Sequence, residues 1–234
     1  MLACLLLCLC PADLPEPLEG ARVLIDDDFE RSDGGSAKDA VGGGWSTNSK
    51  GRAKGNKQVW LGEGRIRIER HAEADHGVSV VHELGMRDGV VAVRARLTPQ
   101  GDLGLNFADM NEKGVHAGHL FMVKIRPQKI ELEDLKSARM RKDVRERRQA
   151  GDASPELKRL IDEHTVRVKG GPEPGEWHDI VATVSGETLT LSVDGVEVGS
   201  LTSPGVGHPT KGRLRIAVNK PVEIDRVLAW STDE

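Results

Sequence analysis

The stretch Gly186-Glu187-Thr188-Leu189-Thr190-Leu191-Ser192-Val193-Asp194-Gly195-Val196-Glu197-Val198 decides the fold. Leu189, Leu191 and Val193 alternate with Thr188, Thr190 and Ser192, and the alternation resumes at Val196 and Val198. A period of two marks a half-buried strand, because successive side chains leave opposite faces of the backbone. Asp194-Gly195 between the two runs supplies residues that tolerate the positive φ of a tight hairpin turn. Outward from this hairpin the same period recurs. It is seen at Ile66 and Ile68, at Val91 to Leu97, at Leu103, Leu105 and Phe107, at His119, Phe121, Val123 and Ile125, at Leu214, Ile216 and Val218, and from Val222 to Trp230. Ten or more strands joined by Gly-rich turns predict an all-β chain, a jelly-roll sandwich.

One segment departs from this pattern. Leu135 to His164 reads as a helical hairpin inserted at 134–165, with thin apolar stripes at Ala138, Met140 and Val144 and at Leu157, Leu160 and Ile161. Ser154-Pro155-Glu156 is a helix start, Ser as N-cap and Pro in the first turn, and Gly151 ends the helix before it. The insertion is basic: seven Lys/Arg stand against three acids between Asp134 and Gln149, a solvated face or a docking surface for an acidic partner.

The composition bounds the function. With 33 Lys+Arg against 37 Asp+Glu the net charge is −4, which is no footprint for wrapping nucleic acid. Aromatic residues make up only 3%, so stacking platforms are scarce. The three cysteines, Cys4, Cys8 and Cys10, fall in an apolar run that ends at Pro11-Ala12. Residues 1–12 therefore read as a secretory signal peptide, too short to span a bilayer, followed by a polar linker over 13–21 and one domain over 22–232. Export from a bacterial cell, to the periplasm or beyond, is the expectation. Cleavage after Ala12 would leave no cysteine for a disulfide, a thiolate metal site or a nucleophile. No serine elbow or phosphate-cradling Gly loop follows a strand.

Candidate chemistry concentrates in the middle. His76, His82, Asn106, Asp109, His116, His119 and Glu131 fall within 56 residues. His116-Ala117-Gly118-His119 places two imidazoles three apart across a Gly. With Asp109 they would make a two-His, one-carboxylate set suited to Zn²⁺, with His82 as a further candidate ligand. His116, His119, Asp109, Asn106 and Glu131 are the expected catalytic groups, with ordinary half-buried histidines as the competing reading. His178 and His208 read as structural. Asp26, Asp27 and Asp28 with Asp225 suggest a second set, carboxylate oxygens for Ca²⁺ if the terminal strands are neighbours; capping of turns and an edge strand is the alternative. Glu131 and Glu133 share a strand face, but nothing completes an E-x-D-x-x-E pattern, so a conventional two-carboxylate glycosidase is not expected.

The C-terminal third carries a resemblance. Gly175-Glu176-Trp177-His178, the Gly186–Gly195 run, Ser203-Pro204-Gly205-Val206-Gly207-His208-Pro209 and Asp225-Arg226-Val227-Leu228-Ala229-Trp230 resemble the concanavalin A-like jelly rolls of secreted bacterial proteins. The nearest set is the 3-keto-disaccharide hydrolase domain, also labelled family 16 glycoside hydrolase; Asp27-Asp28-Phe29-Glu30-Arg31 is similar to its first strand. The resemblance implies a carbohydrate partner and, in hydrolase-type members, cleavage of 3-keto-glycosides. There a base and a metal would act on the C–H next to the ketone. Where those members carry N-S-G-I-x-x-R and E-x-Q-x-x-D, this chain reads Asp102 to Asp109 and His119 to Ile125, without the Arg and the acids. The expectation is a carbohydrate-directed domain, a hydrolase of the keto-sugar type or, alternatively, a noncatalytic glycan-binding or protein-interaction module.

Overall fold

The computed structural model describes residues 14–233; the expected leader over 1–12 lies outside them. Thirteen strands are present among the described residues. They are β1 Arg22–Asp27, β2 Ser46–Thr47, β3 Val59–Gly62, β4 Arg65–Ile68, β5 Val78–Met86, β6 Gly89–Ala108, β7 His119–Arg126, β8 Lys129–Asp134, β9 Thr165–Lys169, β10 Trp177–Ser185, β11 Thr188–Val193, β12 Val196–Thr202 and β13 Lys211–Ser231. The helices are α1 Ser49–Arg52, α2 Lys142–Gln149 and α3 Pro155–Glu163. No helix among the described residues is long and apolar enough to cross a membrane.

All pairings between strands are antiparallel, and the β11–β12 hairpin turns at Asp194-Gly195 as its alternation predicts. The sandwich is organised by two long strands. The sequence pattern divides Val91–Phe107 and Leu214–Trp230 into two strands each, but β6 and β13 run through without a break and pair from Gly89↔Ser231 to Ala108↔Arg213. The N-terminal half of β6 with the C-terminal half of β13 continues through β10, β11 and β12, and is flanked on the other side by β4, β3 and β1. The opposite halves continue through β7, β8 and β9 on one side and through β5 and β2 on the other. One hydrogen-bonded sheet thus folds over on itself. Its two layers meet where β12 passes β8 and β9, so closely that a Cβ on Gly199 would fall 3.2 Å from Val168 and 3.7 Å from Leu132.

The bend has a sequence basis. Thr98, Pro99 and Gln100 are exposed in the middle of β6, and Lys220-Pro221 lies opposite in β13, amid three register shifts. Proline has no N–H to give a ladder and is tolerated at such irregularities. Gly101 is required there: a Cβ would lie 2.8 Å from Leu97 Cβ and 3.0 Å from Thr98 N. Between the layers sit Leu103, Leu105, Phe107, Phe121, Val123, Ile125, Leu214, Ile216 and Val218, with the Phe107 and Phe121 rings stacked at 4.5 Å.

The insertion joins β8 to β9. Ser154 caps α3, its Oγ accepting from the Leu157 N–H at 3.4 Å. The first helix begins seven residues later than Leu135. Leu135–Arg141 is instead a turn held by Met140 N–H to Leu135 O and by a bridge between Arg141 and Val115. Long-range pairing has won over local helix propensity in that stretch.

Gly101→Ala should lower stability by about 1–3 kcal/mol, the usual penalty of forcing atoms into a filled space. Urea unfolding with an unchanged m-value would establish this. A neutral result would mean that the bend does not depend on that glycine.

Candidate functional site

The face of the β9–β8–β7–β6–β13–β5 layer that points away from the core is polar. In register across it stand Arg215, Asn106, Met122 and Glu133, on β13, β6, β7 and β8 in turn. Asn106 alternates with the core residues Leu105 and Phe107, as the sequence predicts, yet it is only 2% exposed. Its Nδ2 donates to Phe121 O at 3.3 Å, which turns Oδ1 toward His119 Nδ1 at 2.9 Å and Arg215 Nη1 at 3.5 Å. Arg215 Nη1, a pure donor, also lies 3.4 Å from His119 Nδ1, but the shorter contact is to the amide oxygen, which only accepts, and it puts the His119 proton on Nδ1. Its Nε2 is left as an acceptor with no protein partner among the described residues. It is not among the buried atoms that lack a hydrogen bond, which among the described residues are Asp102 Oδ1 and Trp230 Nε1.

The alternation of β7 predicts His119 on the core face with Phe121; the structure turns it the other way. Phe107 pairs with Phe121 but Ala108 pairs with His119, so Leu120 is an extra residue in β7. Leu120 and Phe121 both enter the core, and this bulge flips His119 outward. The turn before it completes the site. Ala117 has φ 50° and Gly118 has φ +69°, and a Cβ on Gly118 would fall 2.2 Å from Asp109 O. Left-handed backbone at a non-glycine residue is strained by roughly 1–2 kcal/mol. Here it points Ala117 O at Arg215 Nη2, 2.8 Å away, while Met110 Sδ accepts from the same nitrogen at 3.0 Å. The His-Ala-Gly-His motif thus builds a turn that fixes a guanidinium. Arg215 was not singled out from the sequence, although its place between Leu214 and Ile216 marks it as facing away from the core.

Burial, then the positive charges of Arg215, His116 and His76, hold His119 down at about 3, so it is neutral at ordinary pH. Burial and the charges of Arg145, Arg215 and Arg52 likewise lower His116, whose ring centroid lies 6.3 Å from that of His119.

The other expected site residues are committed elsewhere. Asp109 Oδ2 meets His208 Nε2 at 3.0 Å and its Oδ1 accepts from Asn111 N–H, so it does not join His116 and His119. Burial alone would raise the Asp109 carboxyl, but the Asn111 N–H and His208 outweigh it and hold the group below the usual carboxylate range. His208, read as structural, is the partner of this carboxylate and of Lys136 Nζ. His82 lies under the Gly42–Trp45 turn, its Nε2 3.2 Å from Gly43 O and its ring 4.9 Å from that of Trp45.

Glu131 does share the outward face, but Arg126, Lys129 and Arg167 surround it at 3.0, 3.0 and 3.6 Å. Burial pushes its carboxyl up, and Lys129 and Arg126 more than reverse this, leaving it below its ordinary value. Glu133 is paired with Arg139. Glu131 and Glu133, with Arg126, Lys129 and Arg139, line a cavity of about 320 Å³ under Leu135 and Met140 of the insertion.

The terminal strands are neighbours, Asp27 opposite Val227, but their acids do not converge. Asp26 pairs with Arg226 at 3.0 Å, Asp225 with Arg94 at 3.7 Å, and Asp28 caps Glu30 N–H. Asp27 holds Arg31 and the Trp45 indole N–H. Among the described residues no three His, Cys, Asp or Glu side chains are grouped to hold a metal ion.

With this geometry in view, the comparisons define the class of fold. A model of the concanavalin A-like lectin/glucanase superfamily matches residues 150–231. No curated protein sequence matches the chain. Among solved structures, a non-specific endo-β-1,3(4)-glucanase from glycoside hydrolase family 16 is similar at 13% identity, with 95% of this chain and 94% of that one covered and a TM-score of 0.58. The laminarinase from Rhodothermus marinus follows at 12% identity, 92% and 98% coverage and a TM-score of 0.59. A GlcNAcα1-4Gal-releasing endo-β-galactosidase from Clostridium perfringens gives 9% identity and a TM-score of 0.60 over 94% of this chain and 65% of that one. The chain therefore has the concanavalin A-like jelly-roll fold.

The neutral His119 has a measurable consequence. Between its ordinary 6.5 and about 3 the unfolded chain binds a proton at this position that the folded one refuses. The native state therefore loses stability as pH falls through that range. His119→Gln should show a shallower acid loss, and ¹⁵N spectra of the wild type should retain the Nδ1–H neutral tautomer at pH 5, near the middle of that range. A protonated ring at that pH would refute the assignment.

Proposed function

We propose that this protein is an exported, carbohydrate-directed jelly-roll domain that recognises sugar on the outward face around Asn106, His119 and Arg215. The single observation that carries this is the trio itself. A buried amide, a neutral imidazole with an open acceptor and a fixed guanidinium are held at one place on a strand layer whose other face is hydrocarbon. Donors and acceptors locked by neighbours before the ligand arrives are what recognition of hydroxyl-rich molecules needs. The glycan-active proteins of similar fold support the substrate class. The apolar run and the Pro11-Ala12 junction support export.

Noncatalytic binding is the form that the side chains favour. Hydrolysis by paired carboxylates needs one acid with a raised pKa. Glu131 is held below its ordinary value by cations, and Glu133 is tied to Arg139. Glu133 also stands a full strand beyond Asn106, about 10 Å by the usual strand spacing. Cleavage of a 3-keto-glycoside is the second reading. One observation favours it: His119 Nε2 is a free lone pair beside a guanidinium that would polarise a ketone. A base of such low pKa abstracts a proton poorly, which places this reading second.

A glycan array followed by calorimetry on the chain from residue 13 onward should find saccharide binding that Asn106→Ala weakens by about tenfold or more, since the variant unseats both His119 and Arg215. Aglycone release from 3-keto-glycosides should stay at background. Release that His119→Ala abolishes would put the hydrolase reading first, and absence of both binding and release would remove the carbohydrate reading.

A further inference from the structure

Positive charge from separate elements reaches the His116 ring beside this face. Arg215 comes from β13, Arg52 from α1, Arg145 from α2 and His116 from the turn before β7, and the charges of the three arginines all bear on the His116 ring. The chain as a whole is acidic, so this concentration is local. Little answers it. Arg52 has Asp75 at 3.4 Å on the exposed surface, and Arg145 reaches Gln149. The half-buried Arg215 is held by Asn106 Oδ1, Ala117 O and Met110 Sδ, so among the described residues its charge meets dipoles and no carboxylate.

The same face has no aromatic platform. There is no Tyr in the chain, and Phe29, Phe107 and Phe121 are buried. Trp45 and Trp230 are buried as well, while Trp60 and Trp177 belong to β3 and β10. Neutral sugars are commonly held by stacking their apolar faces on such rings, and unpaired nucleic-acid bases stack in the same way. A guanidinium instead favours a planar or tetrahedral oxyanion. Charge-assisted hydrogen bonds to it are about twice as strong as neutral ones.

We propose that the ligand of this face is an anionic saccharide, a sugar bearing a carboxylate or a sulfate ester, engaged by Arg215. This rests on the carbohydrate reading above and names its substrate class. The anion supplies the counter-charge that Arg215 lacks, and the open His119 Nε2 accepts from a neighbouring hydroxyl.

Calorimetry on the full chain tests it with matched pairs: oligogalacturonate against its methyl ester, and a sulfated galactan oligosaccharide against its desulfated form. The expected result is binding of one acidic form about tenfold or more tighter than its neutral partner, weakening as salt rises. The responding pair tells carboxylate from sulfate. Arg215→Gln should erase the preference. Arg145→Gln, at a half-buried position of α2 where the side chain reaches Gln149, should reduce it several-fold. Equal binding within each pair, or a preference unchanged in both variants, overturns the proposal and leaves the carbohydrate reading standing. Binding of neutral glycans alone on the array does the same. Failure to bind any saccharide overturns both. Displacement of the acidic sugar by polyuridylate of equal affinity would show a general polyanion site and also overturn it.

Discussion

The pairing of β6 with β13 is the constraint on which the rest depends. Both strands pass from one layer of the sandwich to the other, and their ladder runs unbroken in partner though not in register from Gly89↔Ser231 to Ala108↔Arg213. Every other strand docks, directly or through a neighbour, on this central ribbon. Bending it demands local irregularity, which Pro99, Gly101 and Pro221 supply. The ribbon also sets the site, because Asn106 and Arg215 are a cross-strand pair within it. Their separation is therefore fixed by the backbone of the most extensively paired strands in the molecule.

The electrostatics follow from that placement. Arg215 gives up water without gaining a carboxylate, and dipoles from Asn106, Ala117 and Met110 substitute for hydration. A neighbouring imidazole in this field stays neutral, since a second positive charge would meet desolvation and repulsion together. Meanwhile the acids that a hydrolytic mechanism would need, Glu131 and Glu133, sit amid arginines and a lysine. The face thus separates a region with cations in excess from one where charges are already matched.

Much of this was legible in the sequence, and the failures share a cause. Period-two alternation gave the strands, the Asp194-Gly195 hairpin and the outward placement of Asn106, because alternation is a local property of extended backbone. Ser154-Pro155 located α3 for the same reason. Alternation does not reveal a single extra residue, and one such residue, Leu120, moved His119 from the expected core side to the face. Nor does it show which surface groups meet. Asp109 found His208, 99 residues away, and Asp26 found Arg226, 200 residues away, instead of forming ion sites with their sequence neighbours. Arg215 passed unnoticed because an Arg between Leu214 and Ile216 looks like any solvated strand residue until the Ala117 carbonyl is seen to hold it.

The central claim is the location of the site, and a crystal structure of the chain with the saccharide that it binds best tests that most directly. The account predicts the sugar on the outward face, with an acidic group on the Arg215 guanidinium and a hydroxyl at His119 Nε2. A sugar seated instead in the cavity of about 480 Å³ at the bend of the ribbon, between Arg96, Pro99 and Pro221, would contradict it.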